Sequence, residues 1–293
     1  MTRCDLSLGF VGLGALGLPM AINLRRAGFQ LRVHTRSRTA ETIPELEGAE
    51  RCSSPAEAST GVDVLLLCVS DDDAVESVLF SRDGAAQGLN PGSVVLDCST
   101  ISPAQAVHCA ERLEQQGVTY LDAPVTGGTE GARAGTLTVL VGGASEILER
   151  VRPILEVIAG SIHHFGGVGR GQQVKAVNQV LVAGSYAAVA EAMALGQRLK
   201  LPMPQVVEAL QGGAAGSWAL SHRAEGMLAG HYPLGFKLAL HHKDLGIALG
   251  TADSLQLELP ISRLVQQQEA ALMEGGHGDD DVSALHRLLD TIT

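Results

Sequence analysis

The chain has 293 residues, enough for two domains rather than one small core. Hydrophobic residues make up 45% and charged residues 18%, the balance of a folded, soluble protein, and the net charge of -11 argues against nucleic acid or an anionic membrane as a general partner. Aromatics are only 3% against 35 glycines, which speaks against base-stacking platforms and for aliphatic strands, Ala-rich helices and glycine turns.

The N-terminal "MTRCDLSLGFVGLG" has a short, glycine-broken apolar run and no signal-peptide core, and the chain has no charge-free apolar run of ~18 residues. A cytoplasmic protein with no membrane span is expected. "LSLGFVG" reads as a first strand and leads into a helix over 16–27. "FQLRVHT" alternates Phe29, Leu31 and Val33 and reads as a second strand. "VDVLLLCVS" (62–70) is apolar on both faces, the pattern of a strand buried in a parallel sheet, and "SVVLDCS" is another. "VTYLDAPV", "TLTVLVGG" and "SIHHFGG" follow as strands, with helices expected over 72–80, 103–116 and 144–159. This alternation predicts an α/β domain over 1–167, a Rossmann-type, doubly wound and mainly parallel sheet.

After "FGGVGRGQQ" (165–173) no strand pattern remains. Residues 170–199 read as one long helix, apolar nearly all round and so expected to be buried. Further helices are expected over 204–212, 218–230, 237–253, 260–274 and 282–291. The second domain, 168–293, is therefore all-α, with 168–199 as the linking helix. Its Ala/Gly-rich surface suggests a homodimer or homotetramer. The five cysteines, Cys4, Cys52, Cys68, Cys98 and Cys109, form no CxxC pair and read as reduced, mostly buried thiols.

Gly12-x-Gly14-x-x-Gly17 sits between the first strand and the first helix. Gly12 makes the tight turn, Gly14 admits a pyrophosphate close to the backbone, and Gly17 lets the helix pack on the strand. The helix start offers amides around Leu13, Ala15 and Leu16 to the phosphate. The second strand ends in "VHTRSR", without the acid that would bind an NAD ribose. Arg36 and Arg38 can neutralise a 2′-phosphate, and Thr35 and Ser37 can hydrogen-bond it, so NADP(H) is expected in preference to NAD(H). Val69, Ser70, Ser99 and Thr100 stand at two further strand ends and should line the same crevice. Asp71–Asp73 reads as a helix N-terminus rather than a metal site.

"DAPVTGGTEGARAGTL" (122–137) brings Thr126, Gly127 and Gly128 to a strand exit, as an anion cradle for a carboxylate or as a mere tight connection. Lys175, Asn178 and Gln179 share one face of the long helix by the 3.6 period. A half-buried lysine there is a candidate acid/base, its pKa expected to be depressed; a solvated surface lysine is the bland alternative. Lys243 and Asp244 follow in "LALHHKDLGIAL". Adjacent His241 and His242, like His163 and His164, point to different sides, and no metal is expected. Trp218 is either core packing or a wall of the substrate pocket.

Together these motifs resemble the β-hydroxyacid dehydrogenase family along the whole chain. "GFVGLGALGLPMAINL" looks like its cofactor signature, "DAPVTGGTEGARAGTL" its substrate signature, "GRGQQVKAVNQ" its catalytic signature and "KDLGIAL" its late cofactor motif. The resemblance implies Lys175 as acid/base and Thr126, Gly127, Gly128 and Asn178 as holders of the substrate. It implies Lys243, oriented by Asp244, at the nicotinamide, and Thr100 at the cofactor ribose. Thr126 replaces a common Ser, and Gln179 a common Asn, as in the tartronate semialdehyde reductase branch. The implied activity is NADP-dependent interconversion of a short oxo acid and its hydroxy acid. Glyoxylate, succinic semialdehyde, tartronate semialdehyde and 3-hydroxyisobutyrate are the substrate types. Alternatives are a sugar-acid or hydroxy amino acid dehydrogenase (serine or threonate type), an imine reductase, or a non-catalytic nucleotide-binding module.

Overall fold

A computed structural model describes residues 6–37 and 39–290. Cys4 and Arg38 lie outside the described residues. The chain divides into two compact units, 1–175 and 176–293.

The first unit opens with β1 (Ser7–Val11), α1 (Gly17–Arg26), β2 (Gln30–His34), β3 (Glu50–Arg51) and α2 (Pro55–Ser59). β4 (Val64–Leu67), α3 (Asp72–Phe80), β5 (Val94–Asp97), α4 (Pro103–Glu114) and β6 (Thr119–Asp122) follow. The six strands pair in parallel in the order β3-β2-β1-β4-β5-β6. β4 explains why its sequence is apolar throughout. Val64 and Leu66 enter the core on one face of the sheet, with Met20 and Leu24 of α1. Leu65 and Leu67 enter the core on the other, with Val75 and Leu79 of α3 and Leu113 of α4. Helices cover both faces, so the sheet is doubly wound as expected.

Two expected strands, "TLTVLVGG" and "SIHHFGG", do not join this sheet, and the expected strand "VTYLDAPV" is split, its first part being β6 and Val125 opening a separate strand. β7 (Val125–Thr126), β8 (Leu137–Val141) and β9 (Ala159–His164) form a second sheet, antiparallel between β7 and β8 and parallel between β8 and β9. Pro124 marks the break, since it cannot donate to a ladder. α5 (Gly128–Ala134), which the sequence presents as a glycine turn, and α6 (Ser145–Ile158) connect these strands. Neither the two-residue β3 nor the five-residue α2 carries an apolar period long enough to be read.

α7 (Arg170–Arg198) runs from the first unit into the second, where α8 (Met203–Gln211), α9 (Trp218–Leu228), α10 (Leu238–Ser254), α11 (Pro260–Glu274) and α12 (Arg287–Asp290) follow. Ala183, Tyr186, Ala190 and Met193 of α7 pack with Leu220, Met227, Leu245, Val265 and Leu285. The expected helix over 282–291 is instead a 3-10 turn, Val282–His286, and only then α12. Asp281 imposes it: its carboxylate accepts from the Ser283 amide and from those of Gly235 and Phe236.

The expected all-round burial of α7 is corrected. Val177, Leu181, Leu195 and Leu199 are each more than 60% exposed and repeat along one stripe opposite the packed face. α7 is also long and apolar enough to cross a membrane by length and composition alone, a test that the core helix of a soluble protein passes equally.

Candidate active site

The glycine loop has the turn at Gly12 and the close packing at Gly17 that the sequence assigns to it. Gly12 has φ +101, and its N–H donates to the His34 carbonyl at 2.9 Å. A methyl group on Gly17 would stand 1.9 Å from the Gly12 carbonyl oxygen, so the turn and the helix start fit only without side chains. A methyl group on Gly14 would meet nothing within 4 Å. That glycine faces open space, as a close approach by a phosphate requires. The amides of Ala15 and Leu16 precede the first helical bond, Leu18 N–H to Gly14 C=O at 3.0 Å. The loop therefore fits a dinucleotide pyrophosphate at a helix N-terminus.

At the end of β2, Arg36 and Ser37 are exposed. Thr35 differs from expectation. It is 9% exposed, and its hydroxyl accepts from the Leu13 amide at 3.3 Å, bracing the glycine loop rather than facing solvent. Beyond β4, the Val69 amide donates to Ser99 Oγ at 3.0 Å, and the Ser70 hydroxyl donates to Asp71. Asp71 caps α3 by accepting from Ala74, as the sequence suggested.

All these positions lie where the parallel strands end, and α7 begins there too. Asp122, the last residue of β6 and fully buried, accepts from the Gly169 amide at 2.7 Å and the Gln172 amide at 2.9 Å. The carboxylate thus caps the helix that carries Lys175. Methyl groups on Gly142 or Gly171 would crowd that carboxylate to within 2.4 and 2.8 Å, which accounts for both glycines. Burial raises the Asp122 carboxyl above its ordinary range, against the lowering effect of the Gly169 and Gln172 amides. Asp97, at the end of β5, is pushed by burial up to about 6, although Ser99 and Tyr120 hydrogen-bond it. Lys175 follows one turn after Gln172 and is 6% exposed, which rules out the solvated surface lysine. The sequence signal for Asp122 and Gln172 was faint, a strand-end acid and a glutamine three residues before the lysine.

After β6 the chain turns through Thr126, Gly127 and Gly128. Gly127 has φ +127 and Gly128 φ +64, and Gly127 caps α5, so their amides open a helix N-terminus. Thr126 is partly exposed.

The second unit holds its own polar chain. Asn178 Nδ2 donates to Gln179 Oε1 at 2.7 Å, and Gln179 Nε2 donates to Asp244 Oδ2 at 2.5 Å. Lys243 Nζ lies 2.7 Å from Asp244 Oδ1. Gln179 is only 1% exposed, and its amide is spent on these neighbours. It thus braces Asn178 and joins it to Asp244. His241 pairs with the buried Glu269 at 2.5 Å, while His242 Nδ1 lies 3.2 Å from the Gln266 carbonyl oxygen. Trp218 is 45% exposed, stacks on His222 at 4.4 Å and lies under the Arg223 guanidinium, so it is not core packing.

Two family models cover nearly the whole chain. Residues 7–167 match the NAD binding domain of 6-phosphogluconate dehydrogenase, and 169–289 the NAD-binding domain of NADP-dependent 3-hydroxyisobutyrate dehydrogenase. The chain is 39% identical to the 2-hydroxy-3-oxopropionate reductase of Escherichia coli (strain K12) over 97% of both chains. It belongs to the β-hydroxyacid dehydrogenase family.

Other members of the family match along their full length. The NAD-dependent L-serine dehydrogenase of Pseudomonas aeruginosa is 36% identical over 97% of both chains. A solved structure, Psf3 in complex with NADP+ and 2-OPP, has a TM-score of 0.89 at 26% identity, over 96% of this chain and 99% of that one. This β-hydroxyacid dehydrogenase therefore carries NAD(P)-binding domains, and its relatives are dehydrogenases acting on hydroxyl groups. Burial pushes the Cys68 and Cys109 thiols up to about 12 and raises Cys98 well above the ordinary thiol range. Glu50, Cys52 and Glu57 place donor atoms within 4.8 Å of one another. Arg32 pairs with Glu50 and the Ser53 amide and hydroxyl donate to Glu57, so both carboxylates already have protein partners.

Proposed function

We propose that this β-hydroxyacid dehydrogenase interconverts a short aldehyde or oxo acid and the corresponding hydroxy acid with NADP(H), using Lys175 as acid/base. One observation carries the reading. Lys175 is 6% exposed near the start of a helix, where a cation opposes the dipole.

The loop over Gly12, Gly14 and Gly17 and the amides of Ala15 and Leu16 would hold the pyrophosphate, with Leu13, whose amide is bonded to Thr35, bracing the loop. Arg36 and Ser37 would bind the 2′-phosphate, and Val69, Ser70, Thr100 and Lys243 the rest of the cofactor. NADPH, when bound, supplies the hydride. The amides of Gly127 and Gly128 and the Thr126 hydroxyl orient the substrate by its carboxylate, and Asn178 holds its oxygen. Lys175 Nζ gives a proton to the carbonyl oxygen as negative charge develops there, and takes it back in the oxidative direction. Trp218 is assigned to the substrate side.

The 2′-phosphate assignment predicts that Arg36→Ala raises KM for NADPH about 10–100-fold while leaving KM for NADH nearly unchanged, the size of one lost charge-assisted contact. Equal changes for both cofactors in steady-state assays would remove Arg36 from this role.

A second reading is an NAD-dependent dehydrogenase of a hydroxy amino acid, favoured by the L-serine dehydrogenase relative. We also infer a cytoplasmic homodimer or homotetramer. The assembly's support is the exposed apolar stripe of Val177, Leu181 and Leu195 on α7, continued by Leu199 just past its end. Sedimentation should give a multiple of 30.5 kDa, and a monomeric mass would contradict the assembly.

A further inference from the structure

The side chain of Gln172 is 1% exposed and makes two main-chain bonds. Its Nε2 donates to the Ser99 carbonyl at 2.8 Å, and its Oε1 accepts from the Ile101 amide at 3.2 Å. These bonds straddle Thr100 and fix the backbone on both sides of it. The Gln172 backbone amide donates to Asp122. Ser99 extends the tie to β4 by accepting from the Val69 amide, and its own amide donates to Asp97 at 2.8 Å. Three strand exits are thereby joined to the first turn of α7. Lys175 lies three residues further along the same face. An apolar residue in place of Gln172 would leave a buried carbonyl and a buried amide without this partner.

We infer that Gln172 is a positioning residue that locks the Val69–Thr100 side of the dinucleotide site to the helix turn bearing Lys175. The proton donor then keeps its place relative to the hydride donor. The inference rests on the proposed reading of Lys175 as acid/base.

The test compares Gln172→Glu, Gln172→Met and Lys175→Ala in the full-length protein. Each is assayed across pH with NADPH and with NADPH deuterated at the transferring carbon. When protonated, the introduced carboxyl of Gln172→Glu reproduces the glutamine pattern: its O–H donates to Ser99 and its C=O accepts from Ile101. When ionised, it has no donor and repels the Ser99 carbonyl. Gln172→Glu should therefore approach wild-type kcat at low pH. Its kcat should fall about tenfold to hundredfold as pH rises and the carboxyl ionises, with a rising isotope effect. Wild type should lack that limb and show only the fall that loss of the Lys175 proton gives every form that carries the lysine. Gln172→Met should show the low kcat and raised isotope effect at every pH. Loss of folded protein alone reduces the number of active sites and leaves the isotope effect unchanged. Wild-type isotope effects and pH profiles in both Gln172 variants, beside an inactive Lys175→Ala, would overturn the positioning role and leave the acid/base reading standing. Full turnover by Lys175→Ala would overturn the acid/base reading itself, and this inference with it.

Discussion

Lys175→Ala should lower kcat by about 10²–10⁴-fold, the range that general acid–base catalysis supplies, and leave NADPH affinity nearly unchanged. The fold should survive the substitution. α7 is held at its start by backbone amides of Gly169 and Gln172 on Asp122, and none of these bonds uses the lysine side chain. Steady-state turnover of a short oxo acid, with NADPH binding followed by fluorescence titration, separates chemistry from cofactor binding. A variant that kept most of its turnover would remove Lys175 from the reaction.

Gly14→Val should weaken NADPH binding about 10–100-fold, the effect of overfilling a close contact, without changing Tm. A Cβ at Gly14 has no neighbour within 4 Å in the protein. The side chain it carries enters the space assigned to the pyrophosphate. Gly17→Ala is the contrasting case. Its methyl would collide with the Gly12 carbonyl oxygen at 1.9 Å, so thermal stability should fall along with binding. Unchanged NADPH affinity in folded Gly14→Val would show that the loop does not hold the cofactor as assigned.

Much of the first unit was legible because its constraints are local. A glycine with φ +101 next to a strand end, and a strand apolar on both faces, leave marks within a few residues. What escaped the sequence depends on partners far along the chain. The strands at 137–141 and 159–164 were visible, but not that they belong to a second sheet, nor that "VTYLDAPV" breaks at Pro124 into β6 and β7. Asp122 turns its carboxylate to an amide 47 residues away, and Gln179 reaches a carboxylate 65 residues away. Nothing local in either segment specifies those bonds. The apolar stripe of α7 escaped for a related reason: composition gives a helix its hydrophobicity but not which neighbours cover it. The bond from the Leu13 amide to Thr35 was not legible either, since a hydroxyl at the cofactor edge can serve the phosphate or the loop equally well by type.

The most direct test of the central claim is a kinetic panel on the purified protein. Glyoxylate, succinic semialdehyde and tartronate semialdehyde would be reduced, and 3-hydroxyisobutyrate, serine and threonate oxidised, each with NADP(H) and with NAD(H). The account predicts the highest kcat/KM for a short oxo acid with NADPH, abolished in Lys175→Ala. Higher kcat/KM with NADH, or NADPH binding without turnover of any of these acids, would contradict it.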